Sequence, residues 1–435
     1  MQARIGATLG VVWALPFAGL LLSIAVAPLL APVLWHRHYG KIAAFWGAAF
    51  ALPFAVVYGA PVAAHALLAA FLHDYLPFVA LLGALYTVAG GVRLTGTLRG
   101  TPAVNSLLLL GGTVLASVVG TTGAAMLLVR PLIRANRRRR RVAHVFVFFI
   151  ILVGNIGGAL SPLGDPPLFL GFLQGVPFFW PTVHLAAPMG FLATILLAVF
   201  YALDRHYHRA PSAGEPSPLE EIEKIGVAGK RNLVLLFAVT AIVMGSGVWK
   251  PGIALTVLDV AVEGQQLAAI VLLLAVAALS LRITAPAIHR ANEFAWAAMQ
   301  EVAILFAAIF ATIIPAILIL HAQAAASTGL SDRSYFWATG LLSAFLDNAP
   351  TYLLFFNLAG GDAAMLAGPL AQTLLAISAG AVFFGALSYI GNAPNLMTKT
   401  IVEHAGVKMP GFFGYMAWAS LLLLPLFAAV TVVFL

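Results

Sequence analysis

Four short stretches of this 435-residue sequence combine side-chain oxygens with residues that interrupt helices. GALSPLGDPP (158–167) carries Ser161 and Asp165, with Asn155 just before it. GALSYIGNAP (385–394) carries Ser388 and Asn392, with Asn395 one position beyond. GTTG (120–123) supplies Thr121 and Thr122, and DNAPT (347–351) supplies Asp347, Asn348 and Thr351. These are hard oxygen donors, which suit Na⁺ or proton traffic better than soft metals. The reading assigns Na⁺ to Asp165, Asp347, Asn348, Ser388 and Asn392, with the remaining oxygens as further ion or substrate contacts. The chain has no cysteine, so thiolate metal sites, disulfides and Cys nucleophiles are excluded. No H-E-x-x-H motif and no His/Glu cluster of zinc type is present. No resident cofactor is expected, only transported or coupling Na⁺ and H⁺.

The elements that must position these residues are membrane helices. Hydrophobic residues make up 62% of the chain and charged ones 9%, against roughly 25% charge in soluble domains. Mean hydropathy is +1.00. Apolar runs of about 20 residues recur, each long enough to cross the hydrocarbon core. Spans are expected near 9–34, 41–62, 76–92, 142–175, 182–203, 231–249, 265–281, 294–320, 370–398 and 412–435. The first run is longer than a signal-peptide core and reads as a retained helix. The segments 104–133 and 334–360 are interrupted by GTTG and DNAPT and read as re-entrant hairpins. The spans 142–175 and 370–398 are broken at mid-depth. The expected fold is thus an all-α polytopic membrane protein with about ten spans, two hairpins and two broken helices.

Charge sets the orientation. Placing 36–41, 93–100, 130–141, 204–231, 282–290 and 399–408 in the cytoplasm collects all but Arg4, Lys250 and Arg333 of the 23 basic residues there. Both termini then lie outside, and the expected location is a bacterial inner membrane. This works only if the two interrupted segments turn back as hairpins. The net charge of +8 is therefore a topology signal, and the partner it implies is the lipid bilayer, not nucleic acid. The run RANRRRRR (134–141) reads as a cytoplasmic anchor, compatible with contact to anionic headgroups. The polar, Pro-rich stretch 204–230 reads as a linker between halves 1–203 and 231–435.

The two halves repeat. GALSPLGDPP and GALSYIGNAP align at an offset of 227 residues with six identities in ten positions, and the same offset lays GTTGAA over DNAPTY. Each half then has spans, an interrupted hairpin, a broken span and a last span. The first begins outside and the second inside, so the repeats are inverted. Paired Gly/Pro interruptions in inverted repeats point to a midplane site in a secondary transporter. A broken helix leaves backbone groups unsatisfied, and in hydrocarbon this is tolerated only around a cavity or a bound ion.

Three acidic residues fall well inside the membrane: Asp165, Asp347 and Glu301. A carboxylate at mid-depth costs about 2.5–3.5 kcal/mol on the mildest scale, which marks Asp165 and Asp347 as functional. Glu301 reads either as a proton relay or as a carboxylate paired with a base or reaching to the inner surface. The histidines sit at span ends beside arginines or outside. Trp35, Trp180 and Trp249 are expected at the lipid face or interface.

GGALSPLGDPP, SAFLDNAPT and GALSYIGNAPN resemble the signatures of the ion transporter superfamily. Within it, the chain is most similar to NhaD-type sodium/proton antiporters and to the related arsenite permeases and citrate-type transporters, over nearly its whole length. The resemblance implies a scaffold that forms a homodimer and a mobile part made of hairpins and broken helices, working by alternating access. It departs from the dicarboxylate branch. The hairpin tips read Thr-Thr-Gly and Asp-Asn-Ala where that branch has Ser-Asn-Thr, and Asp165 stands where it has Thr.

The function read from this pattern is exchange of sodium for protons, with ions held by Asp165, Asp347 and the broken-helix oxygens. The alternative is an organic-anion carrier of citrate type coupled to Na⁺ or H⁺, or an oxyanion carrier. An anion carrier needs cationic side chains or helix N-termini at its site, and Lys399, just past the second break, is the only basic candidate. No nucleophile–base pair supports an enzyme.

Overall fold

The computed structural model describes residues 6, 8–208, 224–324 and 329–435. Ten of its helices are long and apolar enough to cross a membrane, and the protein is an all-α, multi-pass membrane protein. Helix α1 (Leu15–Leu30) and α2 (Pro32–Tyr58) are separated by Ala31, and α3 (Ala60–Gly90) follows at Gly59. Then come α4 (Pro102–Val119) and α5 (Thr121–Asn136), α6 (Ala143–Leu152), α7 (Pro166–Leu173) and α8 (Trp180–His208). The second half holds α9 (Lys230–Val248), α10 (Gly264–Ile283) and α11 (Trp296–Ala322). It continues with α12 (Asp332–Phe345), α13 (Asn348–Leu358), α14 (Ala371–Phe384), α15 (Ala393–His404) and α16 (Phe412–Phe434).

Two expected loops are helical. His36, Arg37, His38 and Lys41 continue α2, because the chain turns earlier, at Ala31, where Pro32 starts a helix without needing an N–H donor. The stretch 63–75 is part of α3. Its Pro77 removes a helix bond, and a π-turn at Phe71–Tyr75 precedes it. The freed carbonyls of Leu72 and His73 accept from Gln266 Nε2 of α10 at 3.2 and 3.0 Å, so the irregular turn stays satisfied.

The span count matches expectation, but its membership shifts. Pro102–Val119 is long and apolar enough to be one of the ten, whereas the 370–398 segment contributes a shorter helix. The ends of 102–136 nevertheless meet, as a hairpin requires. Gly100 N donates to Ala135 O at 2.8 Å, and the amides of Asn105 and Asn136 exchange hydrogen bonds of 3.0 and 2.8 Å.

Burial sorts the helices. In α6 every residue from Val145 to Leu152 is at most 1% exposed, and α14 is buried along most of its length. These helices are apolar on all sides because they form the centre. The outer helices instead expose Leu22, Leu52, Val56, Phe237, Val271, Leu421 and Val432, an apolar surface suited to lipid. Trp35 and Trp180, expected at the lipid face or interface, are buried in the protein; each finds an acceptor for its indole N–H there, at Glu301 and Ala367 O.

Two small antiparallel ladders complete the fold: β1 (Arg93–Thr95) with β2 (Gly226–Ala228), and β3 (Ala254–Val257) with β4 (Val260–Glu263). The first joins the end of α3 to the chain before α9. Of the expected linker, 209–223 lies outside the described residues, while 204–208 completes α8.

Candidate ion site

The site begins with how each broken helix turns. In the first half α6 gives way to a 3₁₀ turn (Ile156–Leu160), an extended Ser161 and then α7, whose N-cap is Asp165. In the second half α14 is followed by a 3₁₀ turn (Gly385–Leu387), an extended Ser388 and α15, whose N-cap is Asn392. Helices α7 and α15 both have proline in their first turn, where its missing N–H costs nothing. The offset of 227 residues relates these starts, and it also relates the first residue of α5, Thr121, to the first of α13, Asn348.

Ser161 and Ser388 act alike. Each hydroxyl donates to a carbonyl of the neighbouring hairpin, Ser117 O on α4 and Ala344 O on α12. Each also accepts from the backbone two residues on, Leu163 N at 3.1 Å and Ile390 N at 3.2 Å. They fasten the break to the hairpin of the same half. Gly164 and Gly391 permit the tight fold: an added Cβ would lie 2.1 and 2.7 Å from the carbonyl oxygens of Gly158 and Gly385.

The halves meet at Asp165, which is 1% exposed. Its Oδ1 accepts from Thr121 Oγ1 at 3.2 Å and from Asn392 Nδ2 at 3.0 Å, and its Oδ2 from Asn348 Nδ2 at 2.5 Å. The carboxyl group thus touches the starts of α5, α13 and α15, while the backbone carbonyl of Asp165 accepts the first bond of α7 from Leu168 N at 3.1 Å. Four helix N-termini, each with partial positive charge, converge on one point. A second set of amides braces the contact. Asn392 Nδ2 also reaches Gly154 O at 3.1 Å, and Asn155 Nδ2 donates to Asn395 Oδ1 at 2.8 Å. Asn395 in turn donates to Gly385 O and Ser388 O, both at 2.8 Å.

Asp347 is the N-cap of α13. Its carboxylate accepts from Ala349 N at 3.1 Å, and the hydroxyl of Thr351, itself 1% exposed, donates to its carbonyl at 3.0 Å. Asp347 occupies the position equivalent to Gly120 and remains partly exposed, so it borders the site where Asp165 is enclosed. Thr122 follows Thr121 and is half-buried. Among the described residues, the buried Oδ1 atoms of Asn155 and Asn348 accept no hydrogen bond. Amide and carboxylate oxygens of this kind are donors of the type that suits a small hard cation.

Glu301 is not part of this cluster. Its Oε1 accepts from Trp35 Nε1 of α2 at 2.8 Å, and α11 packs against α2 there. Lys399 also turns away, pairing with Glu403 at 2.7 Å and lying over the Tyr389 ring. Sequence reasoning missed Ser117, whose hydroxyl donates to Gly157 O at 2.5 Å and accepts from Leu160 N. The signal was available, since Ser117 lies three residues before the GTTG tip.

A family model described as "Putative citrate transport" matches residues 6–435. The chain belongs to that family. As a member of it, the protein is a secondary transporter. No curated protein matches the sequence. The broken helices of this chain enclose a carboxylate held by neutral amides and a hydroxyl.

Proposed function

We propose that the protein exchanges sodium for protons across a membrane by alternating access, with Asp165 and Asp347 as the groups for which the two ions compete. The observation that carries this reading is the placement of the two carboxylates. Each belongs to the N-cap residue of a helix in a set of four converging N-termini, so the chain's own negative charge already sits where those termini favour an anion. With that negative charge supplied by the chain, the site favours a cation. Asp165, Asp347 and the unpaired Oδ1 atoms of Asn155 and Asn348 would supply its oxygens. Thr121, Asn348 and Asn392 would orient Asp165, and Ser161 and Ser388 would hold the breaks. Thr122 and Thr351 line the hairpin tips, and Asn395 secures Asn155.

The family's description supports a second reading, transport of citrate. A tricarboxylate entering here meets two carboxylates and no basic side chain at the break. It would have to arrive with cations or protons that neutralise them, so this reading is a cation- or proton-coupled symport.

The two are separated by following internal pH in proteoliposomes on adding Na⁺, Li⁺, K⁺ or citrate. Exchange predicts proton movement on adding Na⁺ without citrate. Proton movement only when citrate is present would replace it with the symport.

A further inference from the structure

A cavity lies outside the candidate ion site, among the basic residues that follow α5. Its volume is about 530 Å³, and it opens between the end of α5, the start of α6, the end of α8 and the turn after α15. Arg137, Arg140, Arg141 and Lys408 line it, all with exposed side chains. Among its lining residues there is no aspartate or glutamate.

The acid that bonds to lining residues of this wall is already paired. Asp204 of α8 is buried behind it, accepts from Arg139 and Asn105, and lies 2.8 Å from His144 Nε2. Arg139 also donates to Gly100 O at 3.2 Å and Asn136 Oδ1 at 3.0 Å, which fixes the turn carrying the other arginines. Arg141 is held over the Tyr207 ring at 5.7 Å. Trp418 of α16, 37% exposed, closes one side. The cavity lies where the start of α6 and the end of α8 come together, beside the run of arginines that the charge pattern places at the cytoplasmic surface. A plain anchor would spread its arginines into water. Here three exposed arginines and a lysine line one cavity together with Trp418.

We infer that this cavity binds a phosphate group, delivered either by the headgroup of an anionic phospholipid or by a soluble phosphate anion. Guanidinium groups match phosphate oxygens in forked geometry, and Lys408 adds a point charge. The occupant would touch the end of the first hairpin, the start of α6 and the turn following α15, and so would tie elements of both halves together on the basic face.

Purified full-length protein provides the test. Phosphatidylglycerol and phosphatidylcholine are titrated in detergent and counted by native mass spectrometry, and pyrophosphate is titrated by calorimetry into phosphatidylcholine nanodiscs. The variant Arg137→Gln/Arg140→Gln/Arg141→Gln is compared with a charge-matched control, Arg37→Gln/Lys41→Gln/Lys230→Gln. The triple variant is expected to lose about 100-fold in affinity for the bound probe, and the control to stay near wild type. If the triple variant does not purify, Lys408→Gln alone is expected to lose about fivefold. Selective loss for phosphatidylglycerol identifies a lipid source, and selective loss for pyrophosphate a soluble one; either supports the site. Equal binding by variant and control, or no binding of either probe by wild type, overturns it.

Discussion

Replacing Asp165 by asparagine removes the enclosed charge with little change of shape. One carboxylate oxygen becomes an NH₂ group, which would face the donors of Thr121 and Asn392 or of Asn348. Asn348 can adapt, because turning its amide presents the Oδ1 that accepts no bond among the described residues. Hydrogen bonds to a charged group contribute about 1.5–3 kcal/mol against about 0.5–1.5 for neutral ones. Three weakened bonds, offset by relief of a buried charge, should therefore change stability by less than about 3 kcal/mol. Ion binding should suffer more. A unit charge about 4 Å from a cation, at an effective dielectric constant near 20, is worth about 4 kcal/mol, or roughly 1000-fold in affinity. The assay is ²²Na⁺ binding to purified protein, with thermal melting as the control for folding. Asp165→Asn that melts normally and binds Na⁺ within about tenfold of wild type would refute the assignment. The structure also offers a rescue. Asp165 and Asn392 stand at equivalent positions and touch at 3.0 Å, so the exchange Asp165→Asn/Asn392→Asp returns one carboxylate and one amide to the same contact. It should recover Na⁺ affinity to within about tenfold of wild type, since contacting residues couple strongly.

If protons and Na⁺ compete for the same oxygens, the apparent Na⁺ affinity should weaken as pH falls from about 9 to about 6, and exchange should slow at acid pH. An affinity unchanged across that range would place Na⁺ at a site apart from the aspartates. Gly120 at the first hairpin tip has φ +81 and ψ 151, a region reserved almost entirely for glycine, so Gly120→Ala should destabilise by about 1–3 kcal/mol in denaturant melts. Single cysteines at Arg99 and Arg138, both exposed, should be labelled from one and the same side of the membrane. Labelling from opposite sides would mean that 102–136 crosses fully.

The sequence by itself determined the class and the places where helices fail. Hydropathy and low charge demanded helices through a membrane, because only internally satisfied backbones cross hydrocarbon. The repeated GALS motifs marked the breaks, since Pro and Gly act locally, and the helix starts at Thr121, Pro166, Asn348 and Ala393 follow them. Two turns were misplaced for a reason hydropathy cannot see. A His/Arg/Lys stretch can ride on a helix, and a helix can continue through a π-turn into a proline when a distant glutamine satisfies the turn's carbonyls. Tertiary structure alone decided what the marked residues do. Ser161 and Ser388 look like ion ligands in the sequence, yet their hydroxyls are taken by carbonyls 44 residues away. Glu301 went to a tryptophan 266 residues distant. Asp165 met Asn348 and Asn392 across 183 and 227 residues, and contacts of that range depend on how two halves pack, which no local pattern encodes.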